Sequence, residues 1–125
     1  MSVSSNAFLA ELSSAVPESQ ELVAEHLAFH EELLLHLLIA DLRRMAIAMF
    51  EQDELDPLRR LLAVLDRSLA EGDDFVSNAV AVSFVEDTGW WDPEMSGFMG
   101  AWPAGLTAEA ERQRQWRPGT GGVPD

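Results

Sequence analysis

The stretch FVSNAVAVSFVEDTGWWDPEMSGFMGAW, residues 75–102, decides the fold class, because its first half can form either a helix or a strand. Val76, Val80 and Val82 fit the alternation of a half-buried strand as well as they fit a helix. A strand is stable only within a sheet, and no other segment of the chain has a strand pattern. We therefore predict that residues 75–87 form a buried helix and that the protein is all-α.

Two segments that precede this stretch have the pattern of core helices. Residues 31–52 are apolar around most of a helix circumference, as expected for a helix in the middle of a bundle. Residues 58–69 carry leucines at the helical period, between a helix start at Asp56-Pro57 and a stop at Gly72. We predict that these two helices pack against each other.

Shorter helical segments are predicted at residues 6–16, 18–29, 93–99 and 108–116, the last with Thr107 as its N-cap. The chain is therefore predicted to be a single-domain bundle of about five helices over residues 1–117, which is the usual size of one domain. A Trp/Gly/Pro-rich loop precedes the last helix. Residues 118–125, PGTGGVPD, carry little apolar surface, and we expect them to be disordered.

Composition excludes several classes of function. The 125 residues include no cysteine, so disulfides, thiolate metal sites and cysteine nucleophiles are all absent. The chain has 22 acidic and 8 basic residues, a formal net charge of −14, which repels nucleic acids and anionic membranes. The same charge attracts basic surfaces, so the partner that we expect is a basic protein.

The chain shows no signal for export or membrane insertion. Its N-terminus, MSVSSNAFLAELSS, lacks the basic and apolar regions of a signal peptide. The most apolar run, residues 33–40, is far shorter than the roughly 20 residues that a membrane span needs. We expect a cytoplasmic protein.

The tryptophan-rich loop is the strongest candidate for a binding surface. Trp90, Trp91 and Trp102 either fold over the bundle as a lid or form an exposed aromatic cluster beside Asp92 and Glu94. Aromatic anchors ringed by carboxylates are typical of an interface that faces a basic partner. Under the second interpretation these five residues form the contact set.

Three histidines allow weaker hypotheses. His26 and His30 stand four residues apart, so on one helix they share a face and could bind a metal, although the metalloprotease and di-iron spacings are missing. His36 lies one turn after Glu32, which favours a structural hydrogen bond over general-base catalysis. No catalytic motif is present elsewhere, and we assign no catalytic residue and no cofactor.

Three segments together resemble the DUF7674 type of uncharacterised small bacterial helical proteins. They are EELLLHLLIADLRR at residues 31–44, the leucine helix at 58–69, and DFVSNAVAVSFVED at 74–87. The family pattern places Leu-Pro-His in a central helix before a late Ser-Phe-x-Glu segment. The matching residues here are His36, with Leu35 in place of the proline, and Ser83, Phe84 and Glu86. The resemblance implies an all-helical fold and no known activity.

The leading hypothesis is a non-enzymatic acidic binding module, of the immunity or antitoxin type, that covers a basic surface of a bacterial partner. One alternative is a helical enzyme that binds a metal or small ligand through His26, His30, His36 and Glu32. Another is a structural homodimer that buries the tryptophans.

Overall fold

The computed structural model describes residues 3–116 and is almost entirely helical. Its α-helices are α1 (Ser5–Ala15), α2 (Gln20–His30), α3 (Leu35–Glu51), α4 (Leu55–Glu71), α5 (Asp74–Val80), α6 (Ser96–Met99) and α7 (Ala104–Trp116). Short 3-10 turns at Pro17–Ser19 and Pro93–Met95 precede α2 and α6. The all-α prediction is confirmed, with seven helices in this range rather than about five. The predicted tail, residues 118–125, lies outside the described residues.

Helix α4 lies at the centre of the bundle, because α1, α3, α5 and α7 all pack against it. Its leucine stripe is the reason: Leu58, Leu61, Leu62 and Leu65 are essentially inaccessible to solvent. Burying each such side chain contributes about 1.5–3 kcal/mol relative to leaving it exposed. No helix within residues 3–116 combines the length and the hydropathy that a membrane span requires.

Helix α3 begins later than the apolar pattern predicts. Glu31 adopts a left-handed conformation with φ of 60° and its N–H bonds to the Leu27 carbonyl, which ends α2. Residues 31–34 then form a connection, and α3 starts at Leu35. Glu32 is therefore exposed in this connection rather than one helical turn before His36 on α3.

Two other helices begin earlier than predicted, for separate reasons. Helix α4 starts at Leu55 and holds Pro57 within its first turn, where the missing N–H would have no partner in any case. Helix α7 starts at Ala104 rather than after Thr107, because Oδ1 of Asp66 in α4 accepts the Leu106 N–H at 2.9 Å. A Cβ at Gly105 would collide with this carboxylate, so any other residue there would force the Asp66 side chain to move.

Helix α5 continues without a break into the π-helical segment (Ala81–Glu86). Three consecutive side chains of this segment, Ser83, Phe84 and Val85, are buried. The segment is enclosed by α3 on one side and α7 on the other. Single π-helical turns are rare and are frequent at functional sites, so the residues around this segment are candidates for a site.

We predict that two phenylalanines of this continuous helix differ sharply in their effect on stability. Phe84 is fully buried and Phe75 is 53% exposed. Phe84→Ala should lower the free energy of unfolding by about 3–5 kcal/mol. Phe75→Ala, the matched control, should lower it by less than about 1 kcal/mol. Urea unfolding followed by circular dichroism measures both, and equal losses would contradict the burial pattern.

Candidate functional site

Trp90 lies in the tryptophan loop, residues 89–95, and its indole is buried against α7. The indole Nε1 donates a hydrogen bond to Oε1 of Gln113 at 2.8 Å. The guanidinium of Arg114 sits over the same ring, 5.2 Å from its centroid. A buried indole needs a partner for its N–H, and α7 supplies one together with a favourable cation–π contact.

Trp102 is also buried, in an aromatic cluster between the π-helical segment and α6. Its ring centroid lies 5.4 Å from that of Phe84 and 5.9 Å from that of Phe98. The indole Nε1 is buried and finds no hydrogen-bond partner among the described residues. Trp90 and Trp102 therefore behave as a lid over the core, and this corrects the interpretation that placed both on an exposed contact surface.

Trp91 alone of the three presents its ring to solvent, with 58% of the residue exposed. Its ring stands edge-on to that of Trp90, at 5.1 Å and an interplanar angle of 82°. Asp92 and Glu94 are both exposed beside it. Oδ1 of Asp92 accepts the Glu94 N–H at 3.0 Å and caps the following 3-10 turn. The structure thus brings Trp91, Asp92 and Glu94 together on one surface.

A hydrogen-bond network centred on Gln113 holds this surface in place. The Gln113 Nε2 donates to the Ala81 carbonyl at 3.0 Å and to Oε2 of Glu109 at 2.9 Å. Glu109 in turn accepts two bonds from Arg112, at 2.9 and 2.7 Å, and this pairing raises the pKa of Arg112. One side chain of α7 therefore joins the π-helical segment to Trp90.

His26 and His30 do not form the pair of free metal ligands that their spacing allows. Their ring centroids are 4.7 Å apart, but Nε2 of His26 accepts the Leu34 N–H at 3.0 Å. The lone pair that a metal would need is therefore engaged, and the neutral ring carries its proton on Nδ1. Among residues 3–116 no group of three or more histidine and carboxylate side chains is placed to hold a metal.

His36 forms a hydrogen bond with Ser83 rather than with Glu32. Its Nδ1 lies 2.9 Å from Oγ of Ser83 in the π-helical segment, and the Phe75 ring stands edge-on to the imidazole at 5.8 Å. The two short motifs that carry the family resemblance, around His36 and around Ser83, therefore meet in one hydrogen bond. Both motifs belong to the same family pattern, and this joint occurrence could have indicated that His36 and Ser83 lie close together.

A shallow groove of about 270 Å³ opens beside this bond. We call it the α3 groove, and its lining consists of Leu33, Leu34, Leu35, His36, Leu37 and Phe75. The apolar pattern predicts that Leu37 and Phe75 belong to core helices, yet each is about half exposed. Helical periodicity could have indicated that Leu37 is exposed, because Asp41 and Arg44 follow it by four and seven residues on the same helix face.

Comparison with known proteins identifies the family. The model of a domain of unknown function, DUF7674, matches residues 9–117, which is most of the chain. The chain belongs to this family. No curated protein and no solved structure matches it.

We predict that His26 makes the stability of the protein depend on pH. Burial lowers the pKa of His26 below its ordinary value of 6.5, and the neighbouring His30 lowers it further. The folded protein keeps the ring neutral, whereas the unfolded chain takes up a proton as the pH falls through 6.5. The stability contributed by the neutral ring is therefore complete above this pH and decreases below it.

Between about pH 7.5 and about pH 5.5, the free energy of unfolding should decrease more for the wild type than for His26→Gln. Urea unfolding at the two pH values measures this decrease. Val23→Ala provides the control, since it weakens the packing of the same helix α2 but retains His26, and it should keep the wild-type dependence. Parallel pH profiles for wild type and His26→Gln would contradict the assignment.

Proposed function

We propose that this member of the DUF7674 family is a non-enzymatic, acidic binding protein that covers a basic surface of a partner protein. The contact surface consists of Trp91, Asp92 and Glu94. One observation carries the proposal: the exposed ring of Trp91 rests on Trp90, which is itself buried and hydrogen-bonded to Gln113.

This arrangement is that of a pre-organised binding anchor. Tryptophan is among the residues that contribute most to protein interfaces, because its large ring gains contact area for few rotatable bonds. Trp91 loses little freedom on binding, since the edge-on contact with Trp90 already restricts its ring. A rigid anchor avoids part of the entropy that association costs, at about 0.5–1.5 kcal/mol for each immobilised side chain.

The charge of the protein supports a basic partner. Asp92 and Glu94 place two carboxylates beside the anchor. Together with the net charge of −14, these carboxylates accelerate encounter with a positive surface in a manner that salt screens.

We extend the proposal to an immunity-type or antitoxin-like role in the bacterial cytoplasm. An acidic protein that binds an enzyme of anionic substrates competes for the basic surface that the substrate needs. This extension rests on charge chemistry and on analogy with small acidic inhibitors, and it names the class of partner rather than one protein.

The alternative hypotheses receive less support from the geometry. An enzyme that uses the histidines would need a free lone pair on His26, but that lone pair accepts the Leu34 N–H. Of these three tryptophans, a homodimer would newly bury Trp91, because Trp90 and Trp102 are already covered within the chain. Two copies of net charge −14 also repel each other.

We predict that Trp91→Ser weakens the complex with the partner by about 30-fold or more, since an aromatic anchor contributes about 2 kcal/mol or more. The partner is identified by affinity capture with the tagged protein, beginning with the product of the neighbouring gene, and its dissociation constant is measured by calorimetry. Phe29→Ser is the matched control, because it also removes an exposed aromatic ring but lies near the end of α2 rather than in the tryptophan loop.

The double variant Asp92→Asn, Glu94→Gln should slow association and reduce its dependence on salt, while dissociation stays close to the wild-type rate. Asparagine at position 92 retains an oxygen that can cap the 3-10 turn. A complex that forms equally well with Trp91→Ser, or whose association rate does not respond to salt, would show that this surface is not the interface.

A further inference from the structure

The α3 groove is a second surface with the shape of a binding site. Leu37 and Phe75 are 49% and 53% exposed, and both line the groove. Single exposed apolar residues are common on proteins, but several apolar side chains that line one concave surface mark a place where another molecule packs.

The walls of the groove are fixed before anything binds. Among the described residues that line it, His36 is the polar one, and Ser83 Oγ lies 2.9 Å from its Nδ1. The imidazole in turn contacts the edge of the Phe75 ring at 5.8 Å. At the other wall, His26 accepts the Leu34 N–H and orients the connection that carries Leu33 and Leu34. The groove is therefore a formed feature of the fold rather than a gap between mobile side chains.

The rim of the groove is acidic. Glu31 and Glu32 are exposed immediately before Leu33, and Asp74 is exposed immediately before Phe75. The first arginines along α3 are Arg43 and Arg44, two turns beyond His36. An occupant that combines apolar side chains with flanking positive charges complements this surface, whereas an anionic lipid surface or a nucleic acid does not.

The size of the groove favours a peptide segment over a small molecule. Its volume of 270 Å³ lies below the range of drug-sized ligand pockets, about 300–1,000 Å³, and suits one or two apolar side chains. The part of the chain that the structure describes has one isolated β-bridge, Val3 with Gly72, and no sheet edge to which a strand could add. Leucine side chains supply most of the lining, and an apolar groove of this kind suits the apolar face of an amphipathic helix.

We propose that the α3 groove binds an amphipathic helix of a partner protein, with apolar side chains against Leu37 and Phe75 and lysine or arginine beside Glu31, Glu32 and Asp74. This site is separate from the surface at Trp91. The two lie on different sides of α5 and its π-helical segment, since α3 reaches Ser83 through His36 and α7 reaches Ala81 through Gln113.

The test uses a fluorescein-labelled leucine–lysine peptide that spans five helical turns, about 18 residues, with its leucines at the helical period. Fluorescence anisotropy should show saturable binding to the full-length protein with one peptide per chain. Phe75→Ser and Leu37→Ser should each raise the dissociation constant about tenfold, which corresponds to about 1.4 kcal/mol. Leu55→Ser is the matched control, because it also removes an exposed leucine but lies at the start of α4 and does not line the groove, and it should bind the peptide as the wild type does.

A second pair of changes tests the rim without altering the apolar lining. Glu31→Gln combined with Glu32→Gln should weaken peptide binding and reduce its dependence on salt. A peptide in which glutamate replaces lysine should not bind, and a scrambled leucine–lysine peptide should bind at least tenfold more weakly than the patterned one. Circular dichroism verifies that each variant retains the wild-type helix content.

Three results would overturn the proposal. The first is peptide binding that Phe75→Ser, Leu37→Ser and the glutamine pair all leave unchanged. The second is equal binding of the patterned and scrambled peptides, which would indicate charge attraction without a groove. The third is a wild-type dimer in sedimentation that Phe75→Ser dissociates, which would make a second copy the occupant. None of these results depends on Trp91, so failure here and failure of the surface at Trp91 are distinguished.

Discussion

The leucine face of α4 is the constraint on which the rest of the bundle depends. Four helices, α1, α3, α5 and α7, pack against this one element. Its position also sets the start of α7, because the Asp66 carboxylate, on the same helix, accepts the Leu106 N–H at 2.9 Å. Helix α7 then places Gln113 where it reaches both Ala81 and Trp90. The position of the tryptophan loop therefore follows, through two hydrogen-bonded side chains, from the packing of α4.

The same packing decides which apolar side chains remain outside. Trp90 and Trp102 fill the space between the π-helical segment, α6 and α7, and this leaves Trp91 exposed. On the other side of α5, the hydrogen bond between His36 and Ser83 holds α3 close, and the groove between Leu37 and Phe75 stays open. Both surfaces consist of apolar anchors with carboxylates at their edges, and both proposals rest on this combination.

Patterns that depend on one helix alone were predictable. The leucines of residues 58–69 repeat at the helical period, so their burial followed from the sequence, and the absence of any partner strand assigned residues 75–87 to a helix. The helix ends were less predictable because they depend on other helices. The start of α3 depends on the His26 ring, and the start of α7 depends on Asp66. The candidate site was predicted as a region, and Trp91, Asp92 and Glu94 remain on its surface.

The sequence by itself determined the helical class, the acidic charge and the family, because composition, period and short motifs are properties of the chain alone. Only the tertiary structure decided which of two adjacent tryptophans is buried, since Gln113 binds the indole of Trp90 across 23 positions of sequence. It also decided that His36 pairs with Ser83, 47 positions away, rather than with Glu32. Hydrogen bonds between distant residues form only when packing brings their helices together, and local sequence carries no record of that packing.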